Sequence, residues 1–88
     1  MKNTTIELGK SAEKQLRKLP LTTVNKFRKQ LAFLLTNLAH PSLRIKKKQG
    51  ENAFEARIDY HYRFTFSINE DIIRVFSIGP HDEGLGKK

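Results

Sequence analysis

Alternating residues between positions 53 and 61 combine acidic, basic and imidazole side chains in a pattern suited to acid–base chemistry. One alternate set is Phe54, Ala56, Ile58 and Tyr60, and the other is Glu55, Arg57, Asp59 and His61. Side chains two residues apart lie on the same face of a β-strand. The pattern therefore predicts a strand with one apolar face and one face that carries candidate catalytic groups.

These residue types match the groups that cleave RNA without a metal ion. The 2′-hydroxyl attacks the adjacent phosphate, a general base removes its proton, a cation stabilises the phosphate charge and a general acid protonates the leaving oxygen. The candidate catalytic residues are Glu55 as the base, Arg57 and Arg63 as phosphate ligands, and His81 as the acid. The candidate RNA-binding residues are Lys46, Lys47 and Lys48 for flanking phosphates and Tyr60 and Tyr62 for base stacking.

The same residues have a simpler interpretation, which stays open at this point. A charged strand face is commonly a solvated surface with cross-strand ion pairs, and a run of lysines commonly protects an edge strand. The three histidines lack the spacing of metal ligands, and the chain contains no cysteine. We therefore predict no metal site and no cofactor.

Periodicity predicts the elements that position these residues. Residues 4–8 alternate as a strand, and apolar residues at helical spacing predict one helix that Ser11 caps and a second that Thr22 or Thr23 caps. His40-Pro41 is expected to end the second helix, because the residue before proline avoids the helical region. Four strands then follow, over residues 43–46, 53–60, 62–68 and 72–78.

This order predicts an α+β fold: a strand, a hairpin of two helices, then a four-strand antiparallel run. We expect one small twisted sheet with the helices packed on one face, the 43–46 strand at an edge and the 72–78 strand in a central position. A chain of 88 residues has room for one modest core, so residues 1–88 are expected to form a single domain.

Aligning apolar faces predicts the register of the two hairpins. A first turn centred on His61 sets Asp59 opposite Arg63, Arg57 opposite Thr65 and Glu55 opposite Ser67. A second turn centred on Glu70 sets Phe76 opposite Phe64. That register places Arg74 on the core face, unless the last strand carries a β-bulge.

The charge balance limits the class of partner. The chain has 17 Lys and Arg against 9 Asp and Glu, a net charge of +8. Such a protein favours polyanionic partners, which include RNA, DNA and acidic proteins. No segment has the features of a signal peptide or of a membrane helix, so we expect a cytoplasmic protein with no membrane partner.

Three segments and their order resemble the RelE/ParE superfamily of toxins from type II toxin–antitoxin systems. They are HPSLRIKKKQG, FEARIDYHYRFTF and FSIGPHDEGL, and the resemblance covers nearly the whole chain. The Tyr-Arg pair and the final Gly-x-His-x-x-x-Leu pattern are most similar to the RelE and YafQ branches. Those branches cut mRNA on the ribosome without a metal ion, so the resemblance implies an endoribonuclease that inhibits translation and growth.

The resemblance also implies residue roles. Arg63 matches the arginine that RelE-like enzymes use against the phosphate, and His81 matches the catalytic histidine of YafQ-like enzymes. Arg57 stands where those relatives have a catalytic lysine or histidine, and Lys46 to Lys48 resemble their basic RNA-contact edge. Glu55 has no firm counterpart in the family. Leu85 and Gly86 stand near the position of a C-terminal aromatic residue in those relatives.

The resemblance further implies an acidic antitoxin partner that folds onto the basic toxin. Operator DNA would be bound only through the toxin–antitoxin complex. Two alternatives stay open: the ParE branch shares the fold but poisons DNA gyrase, and a basic domain of this size can bind RNA without cleaving it.

Overall fold

The order of helices and strands confirms the predicted α+β fold. The computed structural model describes residues 4–48 and 53–80. Its elements are β1 (Thr5–Leu8), α1 (Lys10–Arg17), α2 (Leu21–Thr36), a short 3₁₀ helix (Pro41–Leu43), β2 (Lys46–Lys47), β3 (Phe54–Arg57), β4 (Tyr62–Asn69) and β5 (Ile72–Pro80). The chain thus runs through a strand, two helices and four strands, as the periodicity predicts.

All strands of the described residues join one sheet in the order β1-β5-β4-β3-β2. The pairs formed by β2 to β5 are antiparallel, and β1 pairs parallel with β5. β5 therefore has a neighbour on both sides, which confirms its predicted central position. β2 lies at the edge, as the lysine run suggests.

The two helices pack on one face of the sheet and form the core with it. Ala12 of α1 and Phe27 of α2 are buried together with Phe64, Phe66 and Val75 of the strands. The Phe27 and Phe64 rings meet edge to face, with centroids 5.2 Å apart. Alternate residues of β3, β4 and β5 point to the opposite face, which carries the polar side chains.

The predicted helix ends are wrong in detail. Gly9 and Pro20 occupy the N-cap positions, neither cap forms a side-chain hydrogen bond, and Thr23 is buried inside α2. α2 ends at Thr36, because Asn37 leaves the helical region with a φ of −153°. The chain then turns four residues before the proline that was expected to stop it.

The strand predicted over residues 43–46 is shorter than expected. Leu43 belongs to the 3₁₀ helix and is fully buried, and Arg44 adopts a left-handed φ of 47°. This turn sends the chain towards the sheet edge only at Lys46, so β2 is limited to two residues.

The predicted register of the first hairpin is wrong by two residues. β3 and β4 pair Glu55 with Thr65 and Arg57 with Arg63. The turn is centred on Tyr60 rather than His61, because Asp59 Oδ1 accepts hydrogen bonds from the His61 and Tyr62 backbone N–H groups at 2.8 and 3.0 Å. A shift of two residues leaves every side chain on its predicted face, so the hydrophobic pattern cannot distinguish the two registers.

The second hairpin contains a β-bulge, which is the predicted alternative to placing Arg74 on the core face. The register shifts between Thr65 and Phe66, so that Phe64 pairs with Ile78 and Phe66 with Val75. The expected pair of Phe76 with Phe64 is therefore wrong. Arg74 lies on the polar face, where its guanidinium is 3.4 Å from the Glu7 carboxylate.

Candidate functional site

Two clefts are lined by five of the predicted site residues, which are Lys48, Glu55, Arg57, Tyr60 and Arg63. The first, which we call the sheet cleft, has a volume of about 280 Å³ and lies over β3, β4 and β5 on the face opposite the helices. The second, the helix cleft, has a volume of about 630 Å³ and lies between α2, the 3₁₀ helix and the β3–β4 turn. Strand β3 contributes to both, with Glu55 in the first and Arg57 in the second.

The sheet cleft brings together a carboxylate and two cations. Glu55 of β3, Arg63 of β4 and Lys48 beyond β2 line it. Glu55 and Arg63 alternate with the buried Ala56 and Phe64, so strand geometry fixes both side chains on the polar face. The predicted base and the predicted phosphate ligand therefore share one surface.

Two hydroxyl groups form the floor of the sheet cleft. Thr65 and Ser77 are register partners, and their hydroxyl oxygens are 2.7 Å apart. Thr65 also pairs with Glu55 in the β3–β4 ladder. The hydroxyls, the carboxylate and the guanidinium thus line up across three neighbouring strands.

A glutamine from α1 supports the β5 side of the sheet cleft. Gln15 Oε1 accepts a hydrogen bond from the Ile78 backbone N–H at 2.7 Å. This N–H lies beyond the point where β1 stops pairing with β5, at Leu8 and Val75. Gln15 therefore satisfies a donor that the sheet leaves open, and it fixes the end of β5.

The helix cleft is strongly basic. Its lining includes the cations Lys26, Lys29, Arg44 and Arg57, and one carboxylate, that of Asp59. Tyr60 lines it and is 76% exposed. The candidate residues Arg57 and Tyr60 therefore line this cleft, while strand pairing also places Arg57 next to Arg63 on the polar face of the sheet.

A buried glutamine holds the walls of the helix cleft together. Gln30 is only 5% exposed, and its Nε2 donates to the Arg57 carbonyl at 2.8 Å and to the Ser42 carbonyl at 3.2 Å. His40 stacks on Phe33 with ring centroids 3.7 Å apart, and its Nδ1 accepts from the Ser42 N–H at 3.2 Å. α2, the 3₁₀ helix and the end of β3 are thereby joined.

Asp59 fixes the turn at the rim of the helix cleft. Burial alone would raise the pKa of its carboxyl, but hydrogen bonds from the His61 and Tyr62 N–H groups and the ammonium of Lys26 at 3.4 Å outweigh burial and lower that pKa. The predicted cross-strand pair of Asp59 with Arg63 is wrong, because Asp59 makes these turn contacts instead.

The remaining candidate residues lie elsewhere. Lys46 and Lys47 are exposed on β2 and line neither cleft, and Tyr62 is partly buried against the core. His81 lies outside the described residues, as do Leu85 and Gly86. Within residues 4–48 and 53–80, no group of three His, Asp or Glu side chains is arranged to hold a metal ion.

The two glutamines and the basic residues of α2 line or support the clefts but were not among the predicted site residues. One signal for Gln30 was present: it lies three residues after Phe27 and four before Leu34, in the apolar stripe of the helix. A polar side chain at such a position needs buried partners. No local pattern marked Gln15, since its partner is 63 residues away.

One family model decides the family of this chain. The model described as "ParE toxin of type II toxin-antitoxin system, parDE" matches residues 6–85. The chain belongs to this toxin family. No curated protein sequence matches it significantly, and neither helix of the described residues is long and apolar enough to cross a membrane.

The toxin shares its fold with several solved toxins. A chain of the archaeal RelE–RelB complex from Pyrococcus horikoshii OT3 superposes with a TM-score of 0.79 at 19% identity, over 93% of this chain and 99% of that one. YafQ of E. coli strain BL21(DE3) gives 0.75 at 12% identity, over 96% and 100%. A chain of the YoeB–YefM complex from Staphylococcus aureus gives 0.74 at 16%, over 91% and 99%. These similarities establish the RelE/ParE fold.

Proposed function

We propose that this toxin is an endoribonuclease that cleaves mRNA on the ribosome and thereby inhibits translation and growth. The observation that carries the proposal is the shared position of Glu55 and Arg63 in the sheet cleft, with Lys48 beside them. Attack by the 2′-hydroxyl requires a base and a cation on one surface, and the Glu55 carboxylate and the Arg63 guanidinium are groups of these two kinds. The motif resemblance to the RelE and YafQ branches supports the same activity.

In the proposed mechanism, Glu55 accepts the proton of the 2′-hydroxyl while Arg63 holds the scissile phosphate through two parallel N–H donors. Lys48 binds a flanking phosphate. The 2′-oxygen bonds to phosphorus, and the bond from phosphorus to the 5′-oxygen breaks. His81 is proposed on the sequence alone as the acid that protonates this leaving oxygen.

A reconstituted translation reaction tests the proposal directly. Wild type, Arg63→Ala, Glu55→Gln and His81→Ala are compared by mapping mRNA ends. Arg74→Ala is the matched control, because Arg74 lies on the same face of the sheet and lines neither cleft. We expect wild type and the Arg74 variant to cut mRNA at ribosome-occupied codons, and the other three variants to lose at least about 100-fold in rate.

Two outcomes would overturn the proposal. Wild type that leaves the message intact is not a ribosome-dependent nuclease. Cleavage that survives both Arg63→Ala and Glu55→Gln would show that the sheet cleft is not the catalytic site. Ribosome binding by each variant, measured by co-sedimentation, separates loss of chemistry from loss of docking.

A second candidate function is inhibition of DNA gyrase, which the match to the ParE family model favours. It requires no catalytic residues in the sheet cleft. Supercoiling by purified gyrase, measured with increasing toxin, distinguishes the two functions: inhibition that Arg63→Ala does not relieve, together with intact mRNA, would establish this alternative.

We also propose an acidic antitoxin as the partner of this toxin in the cytoplasm. The family is defined by toxin–antitoxin pairs, and solved relatives occur in complexes with RelB and YefM. The net charge of +8 favours such a partner. Co-expression with the product of an adjacent gene should give a complex that neutralises the toxin and binds operator DNA, whereas the toxin alone should not bind the operator specifically.

A further inference from the structure

The helix cleft has a charge that its own groups do not neutralise. Four cationic residues line it, against the single carboxylate of Asp59. That carboxylate already accepts two backbone hydrogen bonds and lies 3.4 Å from the Lys26 ammonium. Lys29 and Arg44 are exposed, and neither makes an ion pair with another described residue. The cleft therefore favours an anionic ligand.

Aromatic rings also line the helix cleft, next to its cations. Tyr60 is largely exposed at the rim, and the stacked rings of Phe33 and His40 form part of the wall. Exposed aromatic rings next to arginine and lysine are typical of sites that stack single-stranded bases. A nucleotide carries both a phosphate for the cations and a flat base for the rings, so the lining favours a nucleotide.

The helix cleft also adjoins the sheet cleft. Arg57 of the helix cleft and Arg63 of the sheet cleft are direct register partners on β3 and β4. Opposite residues of an antiparallel pair have Cα atoms about 5 Å apart. One RNA strand can therefore pass from one cleft to the other.

We propose that the helix cleft is a second RNA site, which binds a nucleotide next to the cleaved one. Lys29 and Arg44 hold its phosphate, and its base stacks on Tyr60. The proposal rests on the proposed function for the identity of the RNA as mRNA. Its test measures binding without cleavage, so the failure of either proposal is visible separately.

The experiment is fluorescence anisotropy with a labelled 2′-O-methyl oligouridylate of twelve nucleotides, which cannot be cleaved by 2′-hydroxyl attack. Wild-type toxin is compared with Tyr60→Ala, Lys29→Ala and Arg28→Ala over a range of salt concentrations. Arg28 is the matched control, because it is the exposed neighbour of Lys29 on α2 and lines neither cleft. Thermal unfolding confirms that each variant is folded.

We expect Tyr60→Ala to weaken binding about tenfold without changing its salt dependence, because stacking releases no counterions. Lys29→Ala should weaken binding a few-fold and reduce the slope of log K against log salt by about 0.7. Arg28→Ala should leave both quantities unchanged.

Three results would overturn the proposal. Equal effects of Lys29→Ala and Arg28→Ala would show that only general surface charge attracts the RNA. Unchanged binding by Tyr60→Ala would exclude stacking in the cleft. If the cleft variants lose binding to a labelled polyglutamate peptide while RNA binding persists, the cleft is a site for an acidic protein.

Discussion

The sheet cleft and the helix cleft are each supported by one glutamine from a helix, but they differ in what holds their walls. Strand pairing forms the floor of the sheet cleft, where Gln15 only fixes the end of β5. The helix cleft joins α2 and the 3₁₀ helix to the β3–β4 turn, which is distant from them in sequence, through the side chains of Gln30 and Asp59. The backbone hydrogen bonds between strands remain when a side chain is removed, so we expect the sheet cleft to be less sensitive to side-chain substitution than the helix cleft.

The two clefts also differ in charge composition. The sheet cleft combines a carboxylate with cations, as acid–base catalysis requires, whereas the one carboxylate of the helix cleft is already engaged in the turn. We therefore assign catalysis to the sheet cleft and ligand binding to the helix cleft. The following changes test that division.

The largest expected difference is between two arginines that face each other across β3 and β4. Arg63→Ala should lower the single-turnover rate of mRNA cleavage by at least about 100-fold, because it removes the cation that stabilises the phosphate in the transition state. Arg57→Ala should mainly weaken RNA binding and leave the rate at saturating toxin within about tenfold. Equal losses of saturating rate would show that the two clefts form one catalytic site.

The next largest effect concerns the two glutamines. Gln30→Ala removes donors to two backbone carbonyls in a buried position, so we expect it to lower the free energy of unfolding by about 2–4 kcal/mol. Gln15→Ala removes one acceptor at a partly buried position and should cost about 1–2 kcal/mol. Urea denaturation followed by circular dichroism measures both, and the reverse order would contradict the idea that side chains hold the helix cleft together.

The difference between the clefts also explains what the sequence could predict. Alternation placed Glu55 and Arg63 on one face correctly, because strand geometry has a period of two. It did not give the register, since a shift of two residues preserves every face. The hydrogen bonds of the Asp59 carboxylate to its own turn favour the observed pairing.

Local sequence patterns did not predict the helix cleft. Arg57 and Tyr60 were identified as candidates, but Lys26, Lys29 and Arg44 looked like a solvated helix face and a strand residue. Their convergence depends on where α2 ends and on the 3₁₀ turn, and residues 37–45 contain no periodic signal for either. The roles of all these residues, and the single domain over residues 1–88, stay predictions.

A smaller effect should depend on pH through Asp59. Its pKa is lower in the folded state than in the unfolded chain, so the carboxylate stabilises the fold above the ordinary carboxyl pKa, and this contribution is lost as the pH falls through the folded pKa. Asp59→Asn should therefore be less stable than wild type at pH 7, by less than about 1 kcal/mol. The difference should disappear in urea titrations at progressively more acidic pH; a constant difference would mean that charge plays no part in the turn.

The smallest expected effect separates two neighbouring lysines. Lys48 lines the sheet cleft, whereas Lys47, paired with Phe54 in the ladder, does not. Both are exposed, so their substitution by alanine changes the net charge equally and should scarcely alter stability. If Lys48 binds a phosphate beside the scissile one, Lys48→Ala should raise the toxin concentration for half-maximal cleavage about two- to threefold and reduce its salt dependence, while Lys47→Ala should do neither. If the two variants had equal small effects, the lysines would attract RNA only through their general positive charge. Arg63 would then be the one cation of the sheet cleft that binds a phosphate directly.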